Sequence, residues 1–356
     1  MWSFSTMWTR YQAWWRQLDT TSRLLTLAVA LITAIGSIYR LYILPQTMQF
    51  LADQGRDALI AHGILHGDVA LVGPSTSVGS MFLGPFYYYF MAPFIWLAGN
   101  NPLGPAYAVA FIGIVTIPTL YAISSRIVGR WPAFFATMLY AVGPFVNEYT
   151  RFSWNPNPAP IVSLGTMYAT WRAWRGNAKW WIVVGALWAL IIQLHYVAAL
   201  VIVPSAIIFL ADVWRARGNK RMKQLGGAFL WSAFIVVISF APLVVFNWRF
   251  NNLIVDGFRD FAGSDTTSAA HLSEGRTWFK IFSEQQGRAL QLLFEVWGGK
   301  DWTPWYRQIN TALLAAYISI LGIATFVATR KRKFEFGHVY LLLMLAASAL
   351  GLAFSI

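Results

Sequence analysis

The chain has 356 residues, of which 57% are hydrophobic, 12% charged and none cysteine. That balance excludes a water-soluble globular protein, and the missing cysteines exclude disulfides, thiolate nucleophiles and Cys-ligated metals. The net charge of +13 would point to nucleic acid in a soluble chain; here the basic residues collect in short loops between apolar runs, which is the signature of membrane orientation.

Runs such as LLTLAVALITAIGSIY are long enough to cross a bilayer and lack the alternation of barrel strands, so helices satisfy the backbone in lipid. The expected architecture is all-α: a polytopic integral membrane protein with about nine transmembrane helices, a re-entrant or juxtamembrane segment and interfacial helices. Residues 1–22 place Phe4, Trp8, Tyr11, Trp15 and Leu18 at helical spacing around Arg10 and Arg16, as an amphipathic helix on the cytoplasmic surface would. A transmembrane module, 23–246, opens with a span from Leu24 to Leu44 that stops at Pro45. The first outer loop, 45–105, contains an apolar segment from Phe82 to Ala98. A full crossing there would invert every later basic loop, so it is expected to be re-entrant, with Tyr87, Tyr88 and Tyr89 at the headgroups.

The remaining spans then alternate: Ala106–Ser124, Trp131–Val146, Ala159–Trp174, Trp180–His195, Val197–Asp212 and Gly226–Phe246. A long outer loop, 247–308, separates them from C-terminal helices over 309–356, at Thr311–Thr329 and His338–Ile356. The chain stops at the end of a span, so further spans are expected beyond it. On this topology 17 of the 27 Lys and Arg residues lie inside but only 3 of the 14 acids, and the inner loops serve orientation.

Functional polarity therefore falls on the outer side, in four groups. Asp53, Arg56 and Asp57 share one face of a helix read from DQGRDALIAHGIL; Asp53 is either a general base or the helix N-cap. Glu148, Arg151, Asn155 and Asn157 occupy a proline-rich loop, where Arg151 either forks onto an anionic phosphate or snorkels to headgroups. Gln193 and His195 end an apolar span and can bind substrate, move a proton or bond between helices. Arg249 follows a span end, as a phosphate clamp or an anchor, ahead of Arg259, His271, Glu274, Arg276 and Lys280. His271 and Glu274 alone make an incomplete metal set, so a divalent metal cofactor stays open. Phosphate-binding glycine loops, a nucleophile elbow and a zinc-protease motif are all absent.

The order of these motifs resembles the glycosyltransferase C (GT-C) superfamily, and within it the bacterial relatives of dolichyl-phosphate-mannose-protein mannosyltransferases, the family 39-like glycosyltransferases. The likeness runs from Leu24 to Asn251. It rests on the early Asp after the first span, the entry GPFYYYFMAPFIWL, the pattern from Gly143-Pro144 to Arg151, QLHY at Gln193 to Tyr196, and PLVVFNWRFN at Pro242 to Asn251. The resemblance implies inverting transfer of one sugar from a polyprenyl-phosphate donor to a lipid, glycan or protein acceptor at the outer leaflet. Nucleic acid is not an expected partner; membrane lipids are. Asp53 would be the base, and Arg151 or Arg249 would stabilise the departing phosphate. Two positions depart from the family pattern: Asn155 stands where many relatives have Asp, and Gln54 where many have an acid. A second carboxylate, if used, would come from Asp57 or Glu148. A lipid or sugar transporter, a flippase and a non-catalytic membrane subunit are the competing readings; apolar mid-span positions and the lack of two similar halves argue against transport.

Overall fold

The computed structural model describes residues 9, 12–13, 15–76, 82–263 and 336–354. Among these the chain is helical, with one isolated antiparallel bridge between Ser75 and Phe82. The N-terminal residues 1–8, most of the 247–308 loop, the 311–329 span and the basic run 330–333 lie outside the described residues.

Helix α1, Thr20–Leu41, is opened by Asp19, whose side chain accepts from the Ser22 amide at 2.8 Å. It ends before Ile43, which adopts a left-handed φ of 44° and turns the chain into α2, Leu44–Thr47. Helix α3, Ala52–Leu65, follows, then α4, Phe86–Leu97. Between them the Gly73 amide donates to Leu83 O at 2.7 Å and the Leu83 amide to Pro74 O at 3.0 Å. Next come α5, Leu103–Ile127; α6, Arg130–Val142; α7, Pro144–Tyr149; α8, Ala159–Trp174; and α9, Trp180–Leu194. A 3₁₀ turn, Val197–Val201, leads into α10, Ile202–Arg215, then α11, Arg221–Ser239, α12, Ala241–Arg249, and α13, Leu253–Gly263. Phe336–Phe354 forms α14.

Among the described residues, four stretches are long and apolar enough to cross a membrane: Thr20–Leu41, Leu103–Ile127, Ala198–Arg215 and Arg221–Arg249. The chain is an integral membrane protein. Bare apolar side chains such as Leu27 and Leu31 on α1, and Leu230, Phe234 and Val237 on α11, supply a lipid-facing surface. Helix α4 has 12 residues, about 18 Å of rise against about 30 Å of hydrocarbon, so it does not span.

Helix α9 packs between α8 and α11, α5 packs against α1 and α6, and α3 lies on α4. Two cores result. One joins α8 to α11 and α14 through Ala169, Trp181, Ile208, Leu225 and Tyr340. The other sits under α3 and is built from Tyr87, Tyr88, Met91, Ile95, Ile191 and Leu194. Tyr87 and Tyr88 are therefore buried in this floor; only Tyr89 faces outward, its hydroxyl donating to the Ala70 carbonyl at 3.1 Å. The headgroup expectation fails for the first two because α4 has α3 above it and α9 beside it.

The expected span Trp131–Val146 breaks at Gly143, where Pro144 restarts the chain as α7, whereas Gly226–Phe246 divides at Phe240 ahead of Pro242 but stays right-handed there, so Arg221–Arg249 runs on as one apolar stretch. The residues after Asn247 begin as helix, with Asn247 Oδ1 accepting from the Ile254 amide at 3.0 Å.

The end of the bundle opposite α3 is tied by charge. Arg130 donates to both Asp19 oxygens at 2.8 Å. The fully buried Asp212 accepts from Trp181 Nε1 at 3.1 Å, Arg215 at 2.9 Å and Arg221 Nη2 at 2.6 Å. Arg215 also donates to Trp174 O, and Arg221 to Ala173 O, capping the last turn of α8. Two of the residues read as orientation signals thus also clasp α8, α10 and α11.

Candidate active site

The Met48–Leu51 segment is extended and delivers the chain into α3 at a fixed point. There the Leu51 amide donates to Gln54 Oε1 at 2.9 Å, so Gln54 satisfies the helix entry and Asp53 is not its cap. Asp53 sits in the first turn with its side chain 55% exposed. Arg56 donates from Nη1 to Asp53 Oδ1 at 3.0 Å, and from Nε and Nη2 to Asp57 Oδ1 at 2.9 and 2.7 Å. Asp57 is 1% exposed, with its carboxyl beside the Tyr88 phenol. Burial pushes the Asp57 carboxyl above the usual range, opposed by its bonds to Arg56. The two acids, four residues apart, have different environments: one faces out, the other faces the α4 floor.

The second outer group closes on the first from the side. Gly143-Pro144 turns the chain into α7, and Arg151 then donates to Tyr39 O, Tyr42 O and Thr47 Oγ1, at 2.8 Å for Tyr42. This guanidinium caps the end of α1 and braces the Ile43 turn just ahead of Asp53. Arg40, wholly buried and missed as a candidate, does the reverse: it donates to Gly36 O and Ala141 O at 3.0 Å and to Tyr140 O at 3.1 Å. Its sequence signal was an arginine one residue before the end of an apolar span. Gly113 makes the room; a Cβ there would lie 2.8 Å from Thr150 Cγ2 and 3.0 Å from Arg40 Nε.

The asparagines of this loop work as donors to carbonyls. Asn147 Nδ2 reaches Gly143 O at 3.0 Å, Asn157 Nδ2 reaches Phe152 O at 2.9 Å, and Asn155 Nδ2 bonds Leu194 O at the end of α9. Asn155 is 5% exposed. An aspartate there would turn an acceptor toward a carbonyl oxygen, which accounts for an amide at this position. Glu148 is exposed on α7.

Asn155 thereby meets the third group. Gln193 is buried, donates to Ala189 O at 3.3 Å and packs against Gly84, where a Cβ would overlap its amide. His195 follows, stacked on Tyr196 with centroids 4.7 Å apart. Gly84 in turn begins the run that sends Tyr87 into a buried bond with Ser153 of the second outer group, at 2.9 Å. A crevice of about 10 Å³, room for about one water, lies between Gln54, Ala58, Met91, Pro105 and Ser153. Arg249 is exposed at the end of α12, which approaches this region through Phe246 on Phe82, 5.6 Å between centroids.

The structure therefore joins the second group to the third through Asn155 on Leu194 O and to the segment ahead of Asp53 through Arg151, and sets Arg249 at the end of α12. His271, Glu274, Arg276 and Lys280 lie outside the described residues; Arg259 pairs with Asp256 at 3.1 Å. Among the described residues no three His, Asp or Glu side chains converge as a metal site would.

Residues 83–245 match the family model for dolichyl-phosphate-mannose-protein mannosyltransferase. That match takes in the second and third groups and leaves Asp53 outside it. No curated protein gives a significant match. Among solved structures, the archaeal oligosaccharyltransferase AglB from Archaeoglobus fulgidus, in complex with an inhibitory peptide and a dolichol-phosphate, is similar with a TM-score of 0.52. The likeness has 13% identity and covers 94% of this chain and 50% of that one. The apo form of the Archaeoglobus fulgidus oligosaccharyltransferase has a TM-score of 0.40 and 12% identity, covering 92% and 50%, and adds no weight. The chain spans about half the length of the structures it matches, and at these identities the likeness is one of fold.

Proposed function

We propose that this chain, a member of the glycosyltransferase C superfamily by its fold and family match, transfers a sugar from a polyprenyl-phosphate carrier to a hydroxyl-bearing acceptor at the outer face of the membrane. The observation that carries this reading is Asp53: an exposed carboxylate, not used as a helix cap, at the first turn after a membrane-spanning helix and directly paired to an arginine. Support for a lipid-linked donor comes from the mannosyltransferase family match and from the dolichol-phosphate bound by AglB, the relative in fold.

In this reading the carrier's tail stays among the apolar helices and its phosphate meets arginines at the interface. Asp53 takes the proton of the acceptor hydroxyl as that oxygen bonds to the anomeric carbon. The bond from that carbon to the phosphate oxygen breaks with its electron pair, and attack from the opposite face inverts the centre. Arg249 meets the negative charge that develops on the leaving phosphate, while Arg56 is held by the two aspartates. Arg151 serves the site indirectly, because its donors are already committed to α1 and Thr47. The positive-inside count supports a cytoplasmic N-terminus and an outward Asp53.

Two experiments test this. Purified protein given a radiolabelled polyprenyl-phosphate sugar and an acceptor lipid extract should yield a product of opposite anomeric configuration; retention would rule out single displacement. Cysteine introduced at Ser75 should react with an impermeant maleimide from outside the cell; labelling only from the cytoplasm would reverse the orientation.

A further inference from the structure

We infer that Asp57 is a positioning residue: from a buried seat beside Tyr88 it holds the Arg56 guanidinium, and through Arg56 it fixes the place of Asp53. This rests on the proposed transfer reaction and assigns Asp57 a part that never touches substrate.

Three observations carry it. First, neighbouring residues on a helix point about 100° apart and do not ordinarily pair; residues three or four apart do. Arg56 nevertheless bends back to place Nε at 2.9 Å and Nη2 at 2.7 Å from one oxygen of its neighbour Asp57. That leaves Nη1, at 3.0 Å, for Asp53 one turn earlier. A planar fork can hold two carboxylates in one fixed geometry, whereas a lysine ammonium cannot. Second, the two ends of this bridge are unequally restrained. Asp57 is 1% exposed and packed against α4; Asp53 is 55% exposed and, among the described residues, pairs with Arg56 alone. Restraint therefore runs from the buried acid outward. Third, the Asp57 carboxyl is buried beside the Tyr88 phenol, itself buried, and burial weighs against its charged form. A side chain selected only to fill that seat would be apolar or an amide, since a buried carboxylate is costly. A carboxylate at that seat makes sense if Arg56 needs a charged anchor.

A double-mutant cycle on the full chain in detergent, with the same donor, tests the coupling. Asp57→Asn is expected to lower kcat by about 10- to 100-fold while donor KM moves less than about threefold, the scale of a small misplacement of a catalytic group. Arg56→Lys, a change on the exposed side of α3 that keeps the charge and loses the fork, should lower kcat to a similar degree. Adding Asp57→Asn to Arg56→Lys should then cost nothing further, because the restraint is already gone. Losses that multiply, or an Asp57→Asn enzyme within twofold of wild-type kcat, overturn the proposal. Wild-type protein without any transfer contradicts the activity and not this coupling, which a second measurement reads independently of turnover. Carbodiimide labelling of Asp53, followed by mass spectrometry, should speed up severalfold in Asp57→Asn as Arg56 loosens; an unchanged labelling rate overturns the proposal in any preparation.

Discussion

Arg40 and Arg151 each close the helix end to which the other is linked: Arg40, on α1, donates to Tyr140 O at the end of α6 at 3.1 Å, and Arg151, in the loop after α6 and α7, donates to Tyr42 O past the end of α1 at 2.8 Å. Carbonyls at a helix C-terminus lack partners and carry partial negative charge, so a guanidinium satisfies both needs. The exchange fixes the second outer group against the segment that leads to Asp53. Arg40→Met leaves those carbonyls unpaired and is expected to destabilise the protein by about 2–4 kcal/mol. Thermal unfolding in detergent reads it; an unchanged midpoint would count against the clasp.

Arg151 and Arg249 should separate in kinetics. Arg151→Lys keeps the charge but cannot reach three oxygens, so it should lower the unfolding midpoint and leave donor KM nearly unchanged. Arg249 is exposed and makes no ion pair among the described residues. Arg249→Ala should leave stability unchanged and raise donor KM or lower kcat by about tenfold, the worth of one charge-assisted contact. The opposite pattern would return the phosphate to Arg151.

Asn155→Asp restores the acid that the family pattern favours, yet it is expected to harm the protein. The change removes the donor to Leu194 O and sets two acceptors face to face in a buried site. The expected loss is about 2 kcal/mol, with no gain in transfer. A more active, equally stable variant would mean that the loop lacks a carboxylate, not that it needs an amide.

How much of this was legible beforehand differs by residue. The all-helical character, the short α4 and the Asp53 helix follow from hydrophobic length and from proline and glycine punctuation, all local signals. The different parts of Asp53 and Asp57 are hidden in the sequence because helical spacing reports a shared face and not which edge of it meets α4. Arg151 read equally as a phosphate ligand or a snorkelling side chain, since the carbonyls it caps belong to a helix over 100 residues earlier in the chain. Arg40 was passed over as part of a span. Asn155 looked like a missing acid because its partner, a backbone carbonyl on α9, leaves no trace in residue type.

Ile43 carries strain that can be removed. Its φ of 44° is left-handed, a conformation that a β-branched side chain rarely adopts, and its side chain is 46% exposed. Ile43→Gly should therefore stabilise the protein by about 1 kcal/mol, the relief of left-handed strain less the flexibility gained by the unfolded chain. A lower unfolding midpoint would mean that the isoleucine packs more than its exposure implies.

Stability should also depend on pH through Asp57. Its carboxyl is held above the usual range chiefly by burial. In the unfolded chain it ionises near pH 4, while the folded chain keeps the proton to higher pH, so stability falls as pH rises through that interval and is level above it. Asp57→Asn removes the dependence. Its unfolding midpoint should exceed that of wild type at neutral pH, with the gap closing below about pH 4, even as kcat falls. A variant less stable than wild type at neutral pH would show that the bond to Arg56 outweighs burial.

The most direct measurement is single-turnover transfer by wild-type and Asp53→Asn protein with a polyprenyl-phosphate sugar in saturating amount. A base with the proposed part should make the variant slower by about 100-fold or more, with donor binding intact. Transfer by Asp53→Asn at the wild-type rate would contradict the assignment of Asp53 as the base.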